Sequence, residues 1–115
     1  MSVTHRLASA FIPTRVAVVG ASDREGSRGR AVWSGVMNSR RVLEAYPVNP
    51  KYKYIGLTPC WAGLRDLPHT PELCVIATPS ACVESVLKDC AALGIANVLV
   101  TPGEGTWTED RLWQD

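Results

Sequence analysis

The stretch Arg15-Val-Ala-Val-Val-Gly20-Ala-Ser-Asp-Arg-Glu-Gly26-Ser-Arg-Gly29 holds a strand, a turn and the start of a helix in succession. Val16, Val18 and Val19 are β-branched residues that suit a buried, pleated first strand, and Gly20 closes it. A polar, glycine-bearing loop follows over residues 21–27. Beyond it Ala31, Val32, Val36 and Met37 recur at helical spacing, which predicts a helix over residues 28–39. Glycine freedom, hydroxyls and helix N-terminal amides therefore meet at one place, and that combination makes an anion cradle. The loop is not G-x-G-x-x-G, because it is longer and Ala21-Ser22 stand where a second glycine would approach a ligand. Nor is it a Walker A loop, since no Gly-Lys-Ser/Thr follows. An ordinary strand-to-helix turn is the competing reading of the loop taken alone.

Working outward, residues 41–48 read as a second strand stopped by Asn49-Pro50, because proline cannot continue a ladder. Residues 56–60 suggest a small extra strand and 61–66 a short helix before Pro68. Residues 72–77 form a clean apolar run, and Thr78-Pro79 opens the next helix, proline being tolerated in a first turn. The apolar face of that helix is Cys82, Val83, Val86, Leu87, Cys90 and Ala91, with Gly94 as the expected C-cap. A fourth strand spans 96–100 and runs into Thr101-Pro-Gly-Glu-Gly105. Residues 3–10 suit a leading helix, and 108–113 suit the start of a closing one. The order (α)βαβ(β)αβα, with crossovers long enough for parallel pairing, predicts a Rossmann-like, doubly wound α/β sheet in a single domain over 1–115. A full domain of this type would add one or two more strands, so a larger parent protein with this segment at its N-terminus is expected.

The bulk properties agree. A chain of 115 residues buries roughly two-thirds of its unfolded surface, enough for a core without staples. With 46% hydrophobic and 20% charged residues and a net charge of +1, nothing argues for nucleic acid or for a charged tail. Cys60, Cys74, Cys82 and Cys90 form no C-x-x-C pair, and the last three fall in apolar periodic segments. They read as buried, reduced thiols rather than disulfides or metal ligands. No apolar leader or membrane-length span stands out, so a soluble cytoplasmic protein is expected.

Ligands of open parallel sheets bind beyond the carboxyl ends of the strands, and four such ends are readable here. The first is the glycine loop. The second is Pro47-Val-Asn-Pro-Lys51, where a NAD site would place Asp or Glu on the ribose hydroxyls; Asn49 and Lys51 stand there instead. A lysine at that point suits a phosphate on the ribose, as in NADP or the 3′-phosphate of coenzyme A, and equally suits a solvated surface. The third end, Ala77-Thr-Pro-Ser80, can pack flat against an adenine or a pantetheine arm, although helix capping would also explain Thr78 and Ser80. The fourth, Thr101-Pro-Gly-Glu-Gly105, fits close backbone approach to a ligand or a plain turn.

Five strings taken together resemble the coenzyme A-binding domain of the ADP-forming acyl-CoA synthetases (the succinyl-CoA synthetase alpha-like proteins) and of the related bacterial protein lysine acetyltransferases. They are Val-Ala-Val-Val-Gly-Ala-Ser-Asp (16–23), Gly-Ser-Arg-Gly-Arg-Ala-Val (26–32), Tyr-Pro-Val-Asn-Pro-Lys-Tyr (46–52), Asp-Leu-Pro (66–68) and Val-Ile-Ala-Thr-Pro (75–79). The resemblance runs from about residue 15 to 104. It implies that Gly20 is among the cofactor-binding residues, that Ser22, Gly26, Ser27, Arg28 and Gly29 contact the diphosphate end of coenzyme A, and that Lys51 pairs with the ribose phosphate. It further implies that Thr78 and Pro79 line the adenine side and that the turn ending at Glu104 lies near the pantetheine arm. That last turn departs from the Ser-Ala-Gly-Phe or Thr-Glu-Gly usual in these families.

The synthetase reaction relays a phosphoryl group through a histidine in a following domain. His5 and His69 match no such motif, and neither an ATP-grasp nor an acyltransferase domain is present. The chain thus reads as a non-catalytic module that binds coenzyme A or acyl-CoA and works with further domains or subunits. The alternatives are an NADP-binding domain of an oxidoreductase and a free-standing acyl-CoA sensor. Trp107 and Trp113 would suit docking to a following domain, or simple packing of a terminal helix.

Overall fold

The computed structural model describes residues 13–101. The expected leading and closing helices, His5, Trp107, Trp113 and Glu104 lie outside them. Four strands form one parallel sheet: β1 (Arg15–Val19), β2 (Glu44–Val48), β5 (Leu73–Ile76) and β6 (Val98–Val100). Their order is β2-β1-β5-β6. In register, Val19 lies beside Val48 on one side and Ile76 on the other, so the carboxyl ends of three strands finish level. Two helices, α1 (Arg28–Met37) and α2 (Ser80–Leu93), complete the crossovers. Rossmann-like α/β architecture is therefore observed, as the alternation of periods requires.

Strand alternation divides the core in two. Val16, Val18, Leu73 and Val75 face one side and pack with Val32, Trp33 and Val36 of α1. Ala17, Val19, Cys74 and Ile76 face the other and pack with Val86 and Cys90 of α2, and with Leu64. A β-strand points successive side chains to opposite faces, so helices on both faces demand strands that are apolar throughout. Burial of β1 and β5 meets that demand.

Several boundaries differ from expectation. Helix α1 ends at Met37, where the Asn38 amide turns back to the Ser34 and Val36 carbonyls. Strand β2 begins only at Glu44, because residues 39–42 make a turn and the Leu43 and Glu44 amides donate to the Thr14 carbonyl. The small extra strand is a hairpin of β3 (Tyr54–Ile55) and β4 (Thr58–Pro59). The short helix is a 3₁₀ turn, Leu64–Asp66. Gly94 caps α2 in the left-handed conformation, as expected.

The apolar face assigned to α2 is only half right. Val86 and Cys90 are buried, but Cys82, Leu87 and Ala91 are exposed. Cys82, expected to be buried, is exposed instead: it sits in the first turn of α2, a few residues past the end of β5. All four cysteines are free thiols. A hydrogen bond with Cys90 and its own burial push the Cys74 thiol well up, which keeps it protonated in the core.

At the amino end of the sheet, Glu72 ties the chain before β1 to the chain before β5. Its carboxylate accepts from the Thr14 amide at 2.7 Å and the Thr14 hydroxyl at 3.1 Å. These bonds hold the Glu72 carboxyl below its ordinary value of 4.5. A depressed folded-state value gives stability that is present above the unfolded value and lost as pH falls through the folded one. The melting temperature is therefore expected to drop as pH is lowered below about 4.5, and Glu72→Gln to flatten part of that slope. Melts of both proteins between pH 3 and 6 check this; parallel slopes would exclude Glu72 as a contributor.

Among the described residues no helix is long and apolar enough to cross a membrane. No group of three or more His, Cys, Asp or Glu side chains among them could hold a metal ion.

Candidate functional site

From β1 the chain winds through α1 to β2 on one side. From β5 it winds through α2 to β6 on the other. The strand order thus reverses between β1 and β5, and in such sheets the ligand crevice lies outside the carboxyl ends of the strands at that switch point. Gly20 and the Ala77-Thr78 backbone form its floor. Gly20 has φ +91°, and a Cβ there would lie 2.8 Å from the Ala77 carbonyl carbon and 2.9 Å from the Thr78 amide nitrogen. Gly29 lets α1 sit down on the end of β1, since a Cβ at that position would come within 2.1 Å of the Gly20 carbonyl oxygen.

The loop between β1 and α1 is held by its hydroxyls. Ser27 is the N-cap of α1: its Oγ accepts from the Arg30 amide at 3.2 Å and donates to the Arg24 carbonyl at 2.7 Å. The Arg28 and Gly29 amides then remain as first-turn donors that helix geometry cannot satisfy internally. Ser22 is largely buried; its Oγ accepts from the Arg24 amide at 3.0 Å and shares a 3.2 Å hydrogen bond with the Tyr52 hydroxyl.

Arg28 has a place that its sequence position does not reveal. Its Nη2 donates to the Thr78 carbonyl at 2.7 Å and to the Ala77 carbonyl at 3.3 Å, bracing α1 against the end of β5. Arg28 Nε and Thr78 Oγ1 are both buried without a hydrogen-bond partner. Thr78 therefore caps nothing. Pro79 occupies the cap position of α2, with no side-chain bond, and is exposed. Buried polar groups without partners are rare, and two on one bridge mark a place where a ligand atom can complete them.

Lys51 is exposed, and its ammonium has no partner among the described residues. Its backbone is fixed, however. Asn49 Nδ2 donates to the Ala21 carbonyl at 2.9 Å, while Asn49 Oδ1 accepts from the Lys51 amide at 2.9 Å. One amide side chain thus joins the glycine loop to the lysine turn. At the fourth strand end, Thr101 is buried, and its Oγ1 donates to the Ile76 carbonyl at 2.9 Å.

The fold accordingly gathers Gly20, Ser22, Ser27, Arg28, Gly29 and Thr78 at the crevice. Gly26 lies in the loop above it, and Lys51 is tied in through Asn49. His69 is exposed in the connection to β5, away from these groups in the chain. Sequence reasoning gave no role to Tyr52 or to the bridging action of Asn49. The available signals were an asparagine set between a strand and a proline, and a tyrosine two residues beyond it.

The chain matches the family model described as "CoA binding domain" over residues 14–112. It is 34% identical over 92 residues to the acetate–CoA ligase [ADP-forming] of Methanocaldococcus jannaschii, which takes in 79% of this chain and 13% of that protein. To the alpha subunit of acetate–CoA ligase [ADP-forming] I of Pyrococcus furiosus it is 28% identical over 109 residues, 90% of this chain and 24% of that subunit. In three dimensions it is similar to the dinucleotide forming acetyl-coenzyme A synthetase 1 of Ca. Korarchaeum cryptofilum in its apo form. The TM-score is 0.75 at 28% identity, covering 92% of this chain and 23% of that one. A conserved hypothetical protein from Pyrococcus furiosus superposes with a TM-score of 0.70 at 26% identity, covering 85% of this chain and 80% of its own length.

Proposed function

The chain belongs to the CoA binding domain family, and from that premise we propose that it is the coenzyme A-holding module of an ADP-forming acyl-CoA ligase. Coenzyme A is its ligand. The chain spans 13% of the length of the ligases first matched, so the phosphoryl and acyl chemistry of such an enzyme belongs to other domains or subunits. A cytosolic setting suits that reading.

Asn49 carries the assignment on the structural side. It holds the phosphate-type loop and the Lys51 backbone as one unit, and the sequence has Asn49 and Lys51 where a NAD site would place Asp or Glu. The diphosphate of coenzyme A would lie over the Gly26–Ser27–Arg28–Gly29 turn, meeting first-turn amides and the positive end of α1. Lys51 would meet the 3′-phosphate, and Thr78 with Pro79 would flank the adenine. Glu104 keeps its proposed place near the pantetheine arm.

Calorimetric titration with coenzyme A and with NADP separates this from the oxidoreductase reading. Coenzyme A is expected to bind at least tenfold more tightly, a difference of about 1.4 kcal/mol. Preference for NADP would remove the assignment while leaving the fold intact.

A further inference from the structure

We infer that Tyr52 is a positioning residue that makes Ser22 an obligate hydrogen-bond donor to a ligand phosphate; this rests on the coenzyme A reading of the same crevice. A serine hydroxyl has one proton and two lone pairs. Ser22 Oγ already accepts from the Arg24 amide at 3.0 Å. The second close partner is the Tyr52 hydroxyl at 3.2 Å. On geometry either oxygen could donate; the phenol is the more acidic hydroxyl, so we assign the proton of this bond to Tyr52 and the accepting lone pair to Ser22. Both lone pairs of Ser22 are then occupied, and its proton is left to donate. Ser22 lies in the loop that follows β1, so that donor belongs to the phosphate end of the crevice.

Tyr52 is well placed to hold this orientation. Its ring packs against the α1-side core. Its amide donates to the Asn49 carbonyl at 3.2 Å, within the turn that Asn49 ties to Ala21. The phenol therefore approaches Ser22 from a braced segment. Without the Tyr52 hydroxyl, Ser22 recovers a free lone pair and its proton is no longer directed.

The test is a double-mutant cycle on coenzyme A affinity with Tyr52→Phe, Ser22→Ala and the pair, in the full chain. Tyr52→Phe is expected to weaken binding about fivefold, within the range of one hydrogen bond. The pair should bind no more weakly than Ser22→Ala alone, because Tyr52 acts through Ser22. Losses that add would show that Tyr52 works independently and would overturn the inference. Phosphorus NMR of bound coenzyme A gives a second readout that a merely structural role would not move selectively. In Tyr52→Phe the diphosphate resonances should shift while the 3′-phosphate stays; a uniform shift, or none, contradicts the proposal. A wild-type chain that takes no coenzyme A removes the underlying reading and the inference together, whereas wild-type binding with an additive cycle removes the inference alone.

Discussion

Gly20→Ala and Gly29→Ala should each lower stability by about 3 kcal/mol, near the upper end for overpacked sites. For a chain of this size that is a fall of more than about 10 °C in melting temperature. At Gly20 two penalties combine: the residue has φ +91°, and an added methyl meets the Ala77 and Thr78 backbone at 2.8–2.9 Å. Backbone atoms cannot swing aside as a flexible side chain can. At Gly29 the obstacle is the Gly20 carbonyl at 2.1 Å, so α1 would have to lift off the end of β1. Gly26 is the control. It also has a positive φ, +79°, but nothing lies within 4 Å of an added Cβ, so Gly26→Ala should cost only about 1 kcal/mol. Thermal melts of the three variants check the order, and equal melting temperatures would mean that the crevice floor is not close-packed. Because Gly20 and Gly29 shape the floor, their variants should lose ligand affinity too, even at temperatures where they stay folded.

Lys51→Ala is expected to weaken coenzyme A binding by about tenfold, in line with 1.5–3 kcal/mol for a charge-assisted contact to phosphate. The loss should be specific to the ribose phosphate: dephospho-coenzyme A, which lacks it, should change by less than about twofold. Geometry supports the selectivity, since Asn49 fixes the Lys51 backbone while its ammonium is unpaired among the described residues. Lys53 is also exposed but lies outside that brace, and Lys53→Ala is expected to leave the ratio of the two affinities near its wild-type value. Calorimetric titrations with both ligands measure the ratio directly. Equal losses for both would reassign Lys51 to general attraction of anions.

The elements legible in the sequence are those whose pattern is set by burial. The β-branched run 16–19 and the run 73–76 had to be strands, because they are apolar without a helical period and end at Gly20 and at Thr78-Pro79. That Gly29 lets α1 pack on the end of β1 is visible only in the structure. Where burial is partial, the pattern misled. Helix α2 carries Leu87 and Cys82 at helical spacing, yet they meet solvent, since spacing fixes a face but not how far a neighbour covers it. The hairpin β3–β4 was half seen, because a two-residue strand such as Tyr54–Ile55 is too short for a period to show. Among site residues, the family resemblance sets Arg28 beside the diphosphate but does not reveal what its guanidinium does in the fold. Its contacts to the Ala77 and Thr78 carbonyls depend on residues 49 and 50 positions away in the chain, which no local pattern can report. The Ser22–Tyr52 bond was hidden for the same reason.

The most direct test is a crystal structure of the chain with coenzyme A bound. The diphosphate should lie against the Arg28 and Gly29 amides, the 3′-phosphate within ion-pair distance of Lys51, and a ligand atom should reach Thr78 Oγ1 or Arg28 Nε at the β1–β5 crevice. Coenzyme A seated away from those strand ends, with Lys51 and Thr78 untouched, would contradict the account of the site.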